Sequence, residues 1–398
     1  MNNFMPLPEN SVWIMYSAEN GDPYFKKFVS AKTVVPAVAI LNRNEKYLIL
    51  HSLDYENAKD FDGEVIVYSG EGSLVGSICD ILKKLSYPSN IFLNYSDKRD
   101  SQTDVIGYGT YRFLHDNILN YYNYSDVSQP KFSSADEIIY FLMDSKTDED
   151  IKYIKIAAKR ALDILNTAFN NIRIGMTEKQ ILNLVHNIFV KKPMYFKNHG
   201  IIKEDFSWEK ELCPVVLVGK NLKKGGHSCA SDTALKRGDT IYFDFGVTIH
   251  LKNGKKYSSD IQRMGYVLNF NEKQAPEKVQ NVFDTLVNAV ETGIKNMTPD
   301  KKGSDIDKLV RSIIIGSGYP DYNHATGHPV GETAHSPGTS LSPAGHKRSG
   351  MLLRENGVYT IEPRIQIENG GSIEEMVRVT KNGGEPLCPT QKTLYLIK

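Results

Sequence analysis

Apolar positions in the first third of the chain fall in short runs broken by polar turns. Residues 34–41 and 47–50 are two such runs, joined by Asn42-Arg43-Asn44-Glu45-Lys46, a pattern that predicts a β-hairpin. Residues 64–68 and 91–95 read as further strands. Between them Leu74, Ile78, Ile81, Leu82 and Leu85 share one face at helical spacing, which predicts a helix over residues 73–85. Strand, helix and strand at this spacing suggest a small α/β layer domain. Residues 125–136, rich in Ser, Asp and Pro, read as a connecting loop. The boundary therefore falls near residue 140, with an α/β domain over 1–140 and a second domain over 141–398.

The second domain opens with a helical pattern. Asp148, Glu149 and Asp150 place acids in its first turn, and Ile151, Ile154, Ala158, Ala161, Leu162 and Leu165 recur on one face. Gly175 interrupts the pattern, and Thr177 followed by Gln180 reads as a new helix start. Further on, short apolar segments end in, or open from, carboxylates. Asp244 follows Ile241-Tyr242-Phe243, Asp260 precedes Ile261, Glu362 closes residues 358–361, and Glu374 leads into Met376-Val377. Three of the ten histidines, His324, His328 and His335, fall within residues 324–335 among Gly, Pro and Thr.

Asp244, Asp260, His328, Glu362 and Glu374 together read as the ligand set of a two-metal hydrolase. Four carboxylates and one imidazole carry four negative charges, which two divalent cations would neutralise. Ions roughly 3.5–4 Å apart can clamp a water and a polarised carbonyl. Without metal the carboxylates would repel one another, and some would take up protons.

Strand geometry adds a demand, because side chains alternate faces along a strand. Asp244 and Asp260 are 16 residues apart, with Lys252-Asn253-Gly254-Lys255 marking a turn. Glu362 and Glu374 are 12 apart across Glu368-Asn369-Gly370-Gly371. With an even separation, a two-residue turn puts the two carboxylates on opposite faces. An odd-length loop or a β-bulge is required.

The order and surroundings of these residues resemble the pita-bread metallopeptidase family, which holds methionine aminopeptidase, Xaa-Pro aminopeptidase, prolidase and creatinase. Ser259-Asp260-Ile261-Gln262-Arg263 is similar to that family's Ser-Asp-x-Thr-Arg, with Gln262 where Thr is usual. Residues 373–380 resemble its Ile-Glu-Asp-Asn-Val-x-Val-Thr segment, which makes Glu374, not Glu375, the ligand. Gly175-Met176-Thr177-Glu178 is similar to its Pro-Gly-Met-Thr-Glu turn, and the resemblance runs from about Asp144 to Thr380. It implies an α+β fold: a catalytic domain with a curved antiparallel sheet covered by three helices, preceded by a smaller creatinase-like α/β domain. That first domain, more weakly matched, implies a homodimer.

The activity implied is that of a dinuclear metal-dependent aminopeptidase that releases N-terminal residues from peptides with proline in second position. An Xaa-Pro dipeptidase (prolidase) and a non-catalytic peptide- or protein-binding module are alternatives. A creatinase-like amidinohydrolase is a further alternative, but it works without metal and lacks the complete ligand set. The resemblance places Glu374 or Glu362 as the general base, with Glu362 preferred, and implies that His335 stabilises the oxyanion or the leaving nitrogen and His324 shuttles a proton. His227 corresponds to a substrate-pocket histidine. The Xaa-Pro enzymes often carry an Arg where this chain has Ser372, and Arg364 could supply that guanidinium from the neighbouring strand. The short 362–374 connection should also leave one wall of the substrate pocket more open. Mn²⁺ is the expected metal because four of the five ligands are carboxylates, while Zn²⁺, Co²⁺ or Fe²⁺ could also bind.

Composition narrows the setting. The 48 Lys and Arg residues against 47 Asp and Glu give a formal charge of +1, with no long basic or acidic block. That argues against nucleic acid or a membrane surface as the main partner. Cys79, Cys213, Cys229 and Cys388 are scattered and read as reduced thiols. The first ten residues lack a basic start followed by an apolar core, so a cytoplasmic hydrolase acting on peptides is the expectation.

Overall fold

The strand Ser11–Ser17 (β1) is the hub of the first half of the chain, and its Val12, Trp13, Ile14 and Met15 are all buried. The computed structural model describes residues 6–29, 31–70, 72–191, 200–224, 226 and 228–398. It divides the chain into units 1–142 and 143–398. In the first unit β1 pairs with the hairpin of β2 (Ala37–Leu41) and β3 (Lys46–His51), which closes at Leu41 and Lys46. β2 starts only after Pro36, which has no N–H to offer the ladder. With β4 (Glu64–Tyr68), β5 (Asn90–Leu93) and β6 (Lys131–Ser134) the sheet runs β4-β3-β2-β1-β5-β6.

The helices of this half are α1 (Pro23–Val29), α2 (Ser73–Lys84) and α3 (Tyr108–Tyr124), while α4 (Asp136–Asp144) crosses the division between the units. Leu74, Ile78, Ile81 and Leu82 of α2 join Ile14, Ile40 and Ile49 in one core. Residues 125–136, expected as loop, contain β6. Its sequence Lys-Phe-Ser-Ser carries a single large apolar side chain, so pairing with the backbone of β5 makes it a strand, not hydrophobic patterning.

The second unit starts with α5 (Asp148–Asn171). Thr147 caps it: its Oγ1 accepts from Asp150 N–H at 3.1 Å, and the Asp150 carboxylate accepts from Thr147 N–H at 2.8 Å. In α6 (Glu178–Lys191), Thr177 and Gln180 make the same reciprocal pair, at 3.2 and 2.9 Å. The strands that follow are β7 (Ile201–Phe206), β8 (Val215–Val218), β9 (Thr240–Phe245), β10 (Val247–Leu251), β11 (Lys256–Ser258) and β12 (Ile261–Val267). Helices α7 (Glu277–Asn296) and α8 (Gly303–Gly316) come next. Then come β13 (Val358–Ile361), β14 (Arg364–Ile365), β15 (Gly371–Ser372), β16 (Glu375–Thr380), β17 (Gly383–Pro386) and β18 (Tyr395–Ile397).

Strand orders are β18-β12-β9-β8, β11-β10-β7, β13-β16-β17 and β14-β15, all antiparallel except the β12–β18 pair. The described residues of this unit carry four complete α-helices where three were expected. Two layers of apolar side chains hold them. Ile154, Ala158, Ala161 and Leu165 of α5 pack with Phe243 and Ile261, and Val282, Phe283 and Leu286 of α7 pack with Tyr359, Ile361 and Val377. Each fully buried Ile, Leu or Phe side chain contributes about 1.5–3 kcal/mol. Among the described residues no helix is long and apolar enough to cross a membrane.

Candidate metal centre

Two hairpins build the centre, and loop length sets which side chains each presents. In the first, Asp244 faces Gln262 and Thr248 faces Ser258, so β9–β12 and β10–β11 share one continuous register. Leu251 N–H donates to Lys255 O at 2.8 Å and Gly254 N–H to Leu251 O at 3.0 Å. The loop is therefore Lys252, Asn253 and Gly254, with Gly254 at φ +83°, the left-handed position such a turn needs. Three is odd, as the parity of 16 demands. Asp260, two residues before Gln262, thus shares a face with Asp244.

In the second hairpin Ile361 pairs with Glu375 and Arg364 with Ser372, again in one register, which sets Glu362 opposite Glu374. Five residues, 366–370, make the loop, and its Asn369 Oδ1 accepts from Thr240 N–H at 3.1 Å. A bridge between Gln262 and Glu374 joins the two hairpins. Asp244, Gln262, Glu374 and Glu362 consequently form a row of cross-strand partners, and such partners face the same way. His328 enters from the far side, where its carbonyl accepts from Thr360 N–H at 2.9 Å while Thr326 O accepts from Glu362 N–H at 2.7 Å.

These contacts converge. His328 Nε2 lies 3.5 Å from Glu362 Oε1, 3.7 Å from Asp260 Oδ2 and 3.9 Å from Glu374 Oε1. Three groups of residues each bring one ligand atom per residue within 4.8 Å of the others: Asp244, Asp260 and Glu374; His328, Glu362 and Glu374; and Asp260, His328 and His335. Asp260 Oδ1 and both Glu374 oxygens are buried without a hydrogen-bond donor.

Burial, and then the charge of neighbouring carboxylates, raises the acids of the cluster. Asp260 and Glu374 are held far above the usual range, and Glu362 is pushed up to about 8. Burial, with His335 nearby, holds His328 well below its ordinary value. Once ionised, these oxygens are acceptors only, packed around a neutral imidazole with no donor for three of them, and such a set fits a divalent cation.

The other expected residues fall in different places. His335 is exposed, its ring centroid 4.3 Å from that of His328. His324 belongs to none of the three groups; its Nδ1 lies 2.7 Å from Ala325 O and its ring 4.9 Å from Tyr322. His227 lies outside the described residues. Arg364 is 3 % exposed and does stand opposite Ser372. Its Nη2 donates to Leu222 O at 3.3 Å and Lys224 O at 2.8 Å, and its guanidinium lies 5.3 Å from the Tyr242 ring centroid. These contacts direct it to the backbone of the 219–224 segment.

Several contributors were not legible beforehand. Tyr242 Oη donates to Asp244 Oδ2 at 3.1 Å. Asp307 accepts from Thr326 Oγ1 at 2.8 Å and from Arg311 at 2.9 Å, and Arg311 also donates to His324 O, so α8 anchors the histidine segment. The i, i+4 spacing of Asp307 and Arg311 was the available signal, but it is a common surface pattern. Gln262, a departure from the motif in sequence, occupies the row itself.

Comparison with known proteins agrees with this geometry. The sequence profile of the metallopeptidase family M24 matches residues 152–381. An uncharacterized peptidase from Bacillus subtilis is 29% identical over 257 residues, which span 63% of this chain and 64% of that one. An Xaa-Pro dipeptidase from Pyrococcus furiosus is 26% identical over 392 residues, 98% of this chain and 97% of that one. Among solved structures, an X-Pro aminopeptidase from Thermotoga maritima aligns over 97% of both chains with a TM-score of 0.66 at 22% identity, a likeness of fold.

Proposed function

The chain belongs to the metallopeptidase family M24, and from that membership we propose that it is a dinuclear aminopeptidase that releases N-terminal residues from peptides with proline in second position. The carrying observation is the buried cluster of Asp244, Asp260, His328, Glu362 and Glu374, three of whose oxygens lack any donor. These five would hold two divalent ions, Mn²⁺ first because the set is oxygen-rich with one imidazole. Such a pair supplies Lewis-acid polarisation of a carbonyl and a water acidic enough to act as nucleophile near neutral pH.

The protein's own groups do the rest. Glu362 accepts the proton of the attacking water and returns it to the leaving nitrogen. His335, exposed beside His328, donates to the developing oxyanion or to that nitrogen. His324 serves as a proton shuttle. Arg364 acts through the 219–224 segment, whose Leu222 and Lys224 carbonyls it holds. A connection as short as the five-residue 366–370 loop would leave one border of the pocket low and favour substrates that continue beyond proline.

A second reading, Xaa-Pro dipeptidase, is favoured by the relative of that name that aligns along nearly the whole chain. The two differ in whether the pocket requires a free carboxylate after proline. A panel of Xaa-Pro, Xaa-Pro-Xaa and Xaa-Ala-Xaa peptides, assayed with Mn²⁺, tests both. Cleavage of Xaa-Pro-Xaa at least as fast as Xaa-Pro is expected. Hydrolysis confined to dipeptides would establish the second reading, and indifference to proline would overturn both.

A further inference from the structure

Gln262 is the one neutral side chain in the row Asp244, Gln262, Glu374 and Glu362. It is 3 % exposed and backbone-paired on both sides, to Asp244 in its own hairpin and to Glu374 in the other. Its Nε2 donates to Asp244 Oδ2 at 3.3 Å and to Glu362 Oε2 at 2.9 Å. A primary amide nitrogen carries two protons, so both bonds can form at once, and only with the nitrogen on that side. The carbonyl Oε1 is buried without a partner. Asp244 and Glu362 are the two ends of the row, on different hairpins, and this amide touches both. A threonine, usual at this position in the motif Gln262 interrupts, has one short hydroxyl with one proton and could not span them.

We propose that Gln262 is a positioning residue of the metal centre: its amide ties Asp244 to Glu362 across the two hairpins and sets the spacing of these ligands before any ion arrives. The inference rests on reading the cluster as a divalent-ion site. By occupying Glu362 Oε2, the amide leaves Oε1 turned toward His328, where the ligand atoms gather. The cost is one buried carbonyl oxygen without a donor. The gain is a pair of carboxyl groups on different hairpins held at fixed separation by a neutral group. Side chains that orient ligands in this way typically account for about 10–100-fold in metal affinity.

The test uses the full chain stripped of metal, as wild type and as Q262T, Q262L and Q262E. Mn²⁺ uptake is followed by calorimetry and Co²⁺ uptake by its visible absorption, which reports ligand geometry. Q262T and Q262L should bind the more weakly held ion roughly 10–100-fold less tightly and shift the Co²⁺ spectrum. Q262E, with no donor and a fifth carboxylate, should be impaired at least as much. Q262T keeps a residue that the fold accepts elsewhere, which guards against a leucine variant that fails to fold. If wild type takes up two ions and the folded variants match it in affinity and spectrum, the clamp is wrong. If wild type itself takes up fewer than two, the metal-centre reading fails, and this inference with it.

Discussion

Arg263 and Glu375 form a buried ion pair, Nη2 to Oε2 at 3.1 Å with each side chain 1 % exposed, on the reverse face of the strands that carry Gln262 and Glu374. The same guanidinium donates from Nη1 to Gln262 O at 2.8 Å and Glu374 O at 2.9 Å. The two backbone hydrogen bonds of the Gln262–Glu374 bridge are long, 3.4 Å from Gln262 N–H to Glu374 O and 3.3 Å from Glu374 N–H to Gln262 O. Arg263 thus fastens from behind the junction that brings the two hairpins together. Glu374 and Glu375 illustrate the alternation of a strand: one faces the cluster, and its neighbour meets the arginine.

Arg263→Ala should therefore destabilise the protein by about 3–5 kcal/mol, because it strands a buried carboxylate. Replacing both partners with apolar residues of similar volume should recover much of that loss. Urea unfolding of the single and double variants measures both effects. A single-variant loss below about 1 kcal/mol would show that the pair is not what holds the junction.

Asp260→Ala should act in opposite directions on the two forms of the protein. Removing a buried carboxylate that lacks a donor at Oδ1 relieves repulsion, so the metal-free melting temperature should rise. The metal-loaded form should lose both the added stability and turnover, since a ligand is gone. Wild-type activity in the folded variant with Mn²⁺ restored would contradict a dinuclear mechanism.

The three histidines should separate by readout. His328→Ala should lower bound metal as well as rate. His335→Ala and His324→Ala should retain metal while kcat falls about 10²–10⁴-fold, the usual cost of losing a proton carrier or an oxyanion donor. Their positions predict the larger fall for His335, which lies in a ligand-distance group where His324 does not. Elemental analysis alongside kcat decides, and equal metal loss in all three variants would refute these roles.

Stability without metal should fall as pH rises. Glu362 holds its proton up to about pH 8 in the folded state, against about 4.3 in an unfolded chain. Asp260 and Glu374 are raised in the same direction. Between these values the folded protein binds protons that the unfolded chain has released, so each step upward in pH favours unfolding. Metal displaces those protons, and the gap in melting temperature between loaded and EDTA-treated protein should widen from pH 5 to pH 8. A gap constant across that range would mean that the acids ionise normally.

Much of the centre was legible in order and spacing. The separations 16 and 12 are even, so carboxylates on one face require an odd loop or a β-bulge, and odd loops appear as the three residues 252–254 and the five residues 366–370. The motif around residues 373–380 likewise distinguishes Glu374 from its neighbour Glu375, and the strand turns the two to opposite faces. Within a hairpin, loop length and side-chain alternation are local, so sequence carries them. β1, Ser-Val-Trp-Ile-Met-Tyr-Ser, is itself an apolar run of strand-forming residues, whereas β6 is strand only because β5 offers its four residues backbone partners.

Only the tertiary structure joined the two hairpins. The Gln262–Glu374 bridge is a pairing between segments more than a hundred residues apart, chosen by burial of both strands and by the arginine behind them. No spacing rule reaches that far. Through that bridge Gln262 came to lie among the ligands, and Arg364 came to rest against the carbonyls of Leu222 and Lys224. The chain alone determined which residues could serve as ligands and which face each would take within its hairpin. Their convergence on one volume, and the neutral amide between them, depended on long-range packing, because register between hairpins is set by what they bury together.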